Sequence, residues 1–75
     1  MARCLPERRR ADLEEQVAEL LGRGHQRWQA LRIVAENTAK LAREHGRRGY
    51  QRMMLEDLAA VAYLSLQIAQ EKRGG

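Results

Sequence analysis

The chain has 75 residues, a net charge of +4 and a pI near 10.0, which leaves room for one small domain, residues 1–75, and no second one. One proline, no phenylalanine and an abundance of Ala, Leu, Arg, Glu and Gln make a helix-forming composition and disfavour a sandwich or barrel. The single cysteine, Cys4, excludes an internal disulfide. No apolar run reaches the ~18 residues of a spanning helix, and MARCLPERRR lacks the apolar stretch of a signal peptide. The expectation is a soluble, cytoplasmic, all-α protein whose ends, 1–5 and 74–75, are frayed.

The first helix is predicted over about 6–22. Pro6 suits a first turn, where its missing N–H costs nothing, and Glu7 favours the positive helix end. Leu13, Val17, Leu20 and Leu21, backed by Ala18, form one narrow apolar stripe. Arg8, Arg9 and Arg10 face Glu7, Asp12, Glu14, Glu15 and Glu19, which predicts a solvated face with weak local ion pairs; phosphate contact is the sharper alternative. Gly22 and Gly24 bracket Arg23, and either can take the left-handed conformation that stops a helix.

A second helix is predicted over about 25–45, with Trp28, Leu31, Val34, Ala35, Thr38, Leu41 and Ala42 on one side and Ile33 off that stripe. Trp28 is expected to anchor helix packing while its indole N–H finds a surface acceptor. HGRRGY, residues 45–50, is the second break, with Gly46 as the stop and Gly49 freeing the entry to the next helix. Two long helices joined by so few residues are expected to lie antiparallel as a hairpin. Arg43, Arg47, Arg48 and Arg52 gather at that elbow with His45 and Tyr50, a candidate anion or nucleic-acid site whose plainer reading is a solvated turn compensating a helix C-terminus.

The third helix, about 50–72, contains the most apolar run of the chain, Met53 to Ala69. Met54, Leu58, Val61, Ser65 and Ile68 form one stripe, and Leu55, Ala59, Ala62, Leu66 and Ala69 the next. An arc that wide exceeds one core-facing stripe, so this helix is expected to meet a second subunit through Met54, Leu55, Leu58, Val61, Ala62, Leu66 and Ile68. If buried, Leu58 and Ile68 should each cost about 2–5 kcal/mol on truncation to alanine.

Chemistry is hard to find. There is no CxxC, no phosphate-cradling glycine loop and no nucleophile elbow. His25 and His45 stand roughly 30 Å apart along one helix and cannot share an ion. Ser65 lies mid-helix without a base, where its hydroxyl is expected to bond back to a carbonyl one turn earlier. The remaining acids of interest are Glu36 on the second helix and Glu56 with Asp57 on the third.

Across residues 31–71, IVAENTAKLARE, residues 33–44, followed by MLEDLAAVAYLSLQIAQE, residues 54–71, resembles the helical core of the MazG-like nucleoside triphosphate pyrophosphohydrolases. That family carries Glu-Glu-x-x-Glu on one helix and Glu-x-x-Asp on the next, and the resemblance implies an all-α fold and a Mg²⁺-dependent ancestry. Glu36 keeps the first acid, but Asn37 and Lys40 replace the other two. Asp57 takes the place of the leading Glu of the second motif, and Ala60 replaces its Asp. The resemblance therefore implies a degenerate metal site, with no metal, cofactor or catalytic residue, and with Lys40 expected to pair with Asp57 or Glu56 in the ion's place. The resulting expectation is a non-enzymatic helical interaction module, homodimeric, similar in size and style to small basic inhibitors and accessory regulators of phages and plasmids. It would bind a protein more readily than nucleic acid, and no membrane. Nucleotide pyrophosphohydrolysis and nucleic-acid binding through the arginine clusters are the alternatives.

Overall fold

The computed structural model describes residues 5–74, which form three α-helices: α1 (Glu7–Gly22), α2 (Arg27–Arg47) and α3 (Gln51–Gly74). The same local signal closes α1 and α2. Gly24 and Gly49 take positive φ angles of 102° and 86°. At the first turn Gly24 N–H donates to the Leu21 carbonyl and His25 N–H to that of Leu20; at the second, Gly49 N–H donates to Gly46 and Tyr50 N–H to His45. Both are Schellman stops, in which a left-handed residue lets two N–H groups satisfy orphan carbonyls. Gly46 is thus not the stop predicted for it. It sits inside α2, where an added side-chain carbon would come within 2.6 Å of the Met54 sulfur, so its smallness serves packing between α2 and α3.

These two glycine types are separable by substitution. Gly24→Ala is expected to destabilise by about 1–2 kcal/mol, because it forces Cβ into the left-handed region. Gly22→Ala, at a helical site with open space around it, should stabilise by roughly 0.5 kcal/mol. Urea denaturation of the pair, showing opposite signs, checks the assignment.

Helix starts differ slightly from prediction. Pro6 precedes α1 as its cap, its carbonyl accepting from Arg10 N–H. α2 begins at Arg27 because the stop after α1 extends through His25, and the Gln29 side chain caps Gln26 N–H. Leu5, expected to be frayed, is half-buried against the core, and α3 runs on to Gly74. Residues 1–4, including Cys4, and residue 75 lie outside the described residues.

The core comprises Leu13 and Val17 of α1, Ala30, Leu31 and Val34 of α2, and Ala60 and Leu64 of α3. The α1 stripe places Leu13, Val17 and Leu20 inward as predicted, with Leu21 more exposed. In α2 Leu31, Val34, Thr38 and Ala42 are buried, and the Thr38 hydroxyl donates to the Val34 carbonyl at 2.8 Å, so burial leaves it satisfied. Trp28 and Leu41, expected in the packing stripe, are exposed; the Trp28 indole N–H donates to Gln26 Oε1.

The main correction concerns α3. Its buried line is Asp57, Ala60 and Leu64, flanked by half-buried Val61, Tyr63 and Ile68. On the predicted stripe of Met54, Leu58, Val61, Ser65 and Ile68, Leu58 is half exposed and Ser65 is exposed. The helix is rotated relative to the predicted stripe because the small Ala60, fully buried, is what faces α2. α2 and α3 pack against each other extensively, while α1 meets α2 more closely than α3. Among the described residues no helix is long and apolar enough to cross a membrane.

Candidate functional site

Two features stand out from this framework: a buried charged junction and an outward apolar face. At the junction, Arg9 Nη2 donates to Asp57 Oδ1 at 2.7 Å, and His45 Nδ1 lies 2.6 Å from Asp57 Oδ2. The carboxylate only accepts, so the imidazole proton of this contact belongs on Nδ1. Asp57 is 3% exposed, and its two oxygens are each spent on a cationic or polar partner from a different helix. Among the described residues, Arg9 Nε is buried without a hydrogen-bond partner.

This position follows from the helical stripes. Arg9 precedes Leu13 and Val17 by one and two turns, His45 follows Thr38 and Ala42, and Asp57 heads the line to Ala60 and Leu64. Each core stripe thus ends in one ionisable residue, and the fold sets all three at one level. The predicted solvated role for Arg9 is corrected accordingly. The sequence does carry one signal for it: an ionisable side chain in register with an apolar stripe points inward.

The predicted acids do not converge. Glu36 is exposed and meets Arg32 on its own helix at 3.3 Å, Glu56 is exposed, and Asp57 is engaged as described. Lys40 is exposed and bonds neither Glu56 nor Asp57; Arg9 and His45 stand where Lys40 was expected. Among the described residues no three His, Cys, Asp or Glu side chains gather closely enough to hold an ion.

Along α3, Leu55 is 56% exposed, Leu58 50% and Leu66 61%. Ala62, Ser65 and Ala69 are exposed between them. Three other residues predicted for association, Met54, Val61 and Ile68, are instead half-buried, Ile68 against the core and Met54 against Gly46. From Leu55 to Gln70 the only exposed charge on the helix is Glu56. A solvent-facing helix surface normally carries its charges there.

Two further sets of contacts tie α3 to the other helices. Arg27, at the start of α2, meets Glu71 at 3.2 Å and Gln67 at 3.1 Å near the end of α3. Tyr63 hydroxyl donates to Glu14 of α1 at 3.1 Å; burial, and then the bond to that carboxylate, push its pKa above the ordinary phenol value. A small apolar hollow between α1 and α3, about 90 Å³, lies beside it, too small for a ligand pocket of the usual ~300 Å³ or more.

No family model, curated protein or solved structure matches this chain.

Proposed function

We propose that the chain is a small non-enzymatic interaction module that forms a homodimer through the outward face of α3 and acts by binding another macromolecule. The observation that carries this reading is the uncharged exposed line of Leu55, Leu58, Ala62 and Leu66. The contacts Arg27–Glu71 at one end and His45–Asp57 at the other support an antiparallel α2–α3 hairpin as its support.

A second copy suits this face for a geometric reason. About a two-fold axis through Ala62, with the two α3 helices antiparallel, Leu58 falls opposite Leu66 of the partner subunit and Leu55 opposite Ala69 of the partner subunit. Large residues then meet small ones or each other with no charge intervening, the self-complementarity a two-fold interface demands. A core this small also gains most from association.

Sedimentation equilibrium tests the proposal. A dimer is expected at micromolar concentration, and Leu58→Glu with Leu66→Glu should convert it to a folded monomer, weakening association by at least about a hundredfold, or roughly 3 kcal/mol. A wild-type monomer at that concentration would overturn it.

Under the MazG-like resemblance, the module would be a descendant without pyrophosphohydrolase activity. What supports this is the use of Glu36 by Arg32 and of Asp57 by Arg9 and His45. Release of pyrophosphate from nucleoside triphosphates with Mg²⁺ would refute it.

A further inference from the structure

The junction of Arg9, His45 and Asp57 has a consequence for the surface around it. It brings the first turn of α1, the last turn of α2 and the start of α3 to one end of the molecule. Two arginine groups far apart in the sequence are therefore neighbours. Arg8 and Arg10 flank Arg9, Arg43, Arg47 and Arg48 lie within three residues of His45, and Arg52 lies just over one turn before Asp57.

We infer that this end of the molecule is a binding surface for the phosphate backbone of duplex nucleic acid. All six of these arginines are exposed, and none forms a salt bridge among the described residues. Elsewhere three arginines are paired, Arg23 with Glu19, Arg27 with Glu71 and Arg32 with Glu36, although Lys40, Lys72 and Arg73 are exposed and form no salt bridge among the described residues. Acids are present here too, since Glu7, Asp12 and Glu56 share a hollow with Arg8 and Arg9, yet they leave the six guanidinium groups uncommitted.

Stability accounts for only part of the placement. Cations at a helix N-terminus oppose its dipole, and Arg8, Arg10 and Arg52 all occupy N-terminal turns. Arg47, in the last turn of α2, and Arg48, at its C-cap, compensate a C-terminus, and the other four do not. Tyr50 adds an aromatic surface at the same end, 52% exposed and set edge-on to His45 with ring centroids 6.1 Å apart.

The dimensions favour a polymer over a free nucleotide. Three packed helix ends spaced 8–10 Å apart make a patch roughly 20 Å across, which faces about a dozen duplex charges at one per ~1.7 Å. A triphosphate reaches only part of that span. Arginine forks suit phosphate oxygens bidentately, and contacts to phosphate carry no sequence information, which predicts binding without base preference.

The test is fluorescence anisotropy with a labelled random-sequence duplex across a salt series, on wild type, Arg8→Ala/Arg10→Ala, Arg47→Ala/Arg48→Ala and a control, Lys72→Ala/Arg73→Ala, from the other end of α3. Circular dichroism checks that each variant is helical. Wild type is expected to bind with log K falling linearly in log salt. Each arginine double variant should bind about tenfold more weakly at low salt, with the slope reduced by roughly 0.9 for each phosphate no longer neutralised. The control should match wild type. No binding at low salt, an equal loss in the control, or tight binding of a nucleoside triphosphate with none of the duplex would each overturn the inference. Dimerisation is read separately by sedimentation.

Discussion

Asp57→Ala is expected to lower stability by about 3 kcal/mol, a large part of the roughly 4–11 kcal/mol that a chain of this length has available. The substitution removes the one acceptor that Arg9 and His45 share. His45, 18% exposed at its side chain, is left with a buried unpaired N–H, and Arg9, 21% exposed, must turn toward water. That escape places the cost at the lower end of what breaking a buried ion pair entails. Asp57→Asn keeps one carbonyl and should lose about half as much. Replacing all three members by apolar residues of similar volume, as Arg9→Met, His45→Leu and Asp57→Leu, should recover most of the loss, because desolvation offsets much of what the native charges gain. Thermal denaturation followed by circular dichroism reads the series. A change within about 0.5 kcal/mol for Asp57→Ala would show that the junction does not hold the three helices together.

Leu64→Ala should be comparable, at about 2–5 kcal/mol, since Leu64 is 1% exposed and its removal opens a cavity among Leu13, Leu31 and Ala60. Leu58, six residues earlier on the same helix, provides the contrast. Half of it faces solvent, so Leu58→Ala should change the stability of the monomer by less than about 0.5–1 kcal/mol. Denaturation at concentrations below the dissociation constant of the proposed dimer separates the two sites. Equal costs there would mean that the buried line of α3 is not Asp57–Ala60–Leu64.

That contrast also marks where sequence reading stops. The wide apolar arc of α3 is visible in residues 53–69, and four of its residues, Leu55, Leu58, Ala62 and Leu66, do lie on the open side. Which half of the arc turns inward is not visible, because leucine counting favours Leu58 and Ile68 over the small Ala60. Close approach of α2 and α3 decides it, and alanine permits that approach where leucine does not. Arg9 presents the same difficulty in polar form. Its local neighbours are acids on its own helix, whereas its actual partner is 48 positions away.

What the residues dictated by themselves were the local outcomes: helix formation, the three segments, and breaks at the glycine pairs Gly22/Gly24 and Gly46/Gly49, each fixed by backbone preferences within one turn of chain. Tertiary structure alone decided the rotation of α3, the union of Arg9, His45 and Asp57, and the gathering of two arginine groups at one end. Those depend on which faces fit at close range, and packing energy of that kind exists only once the helices are side by side.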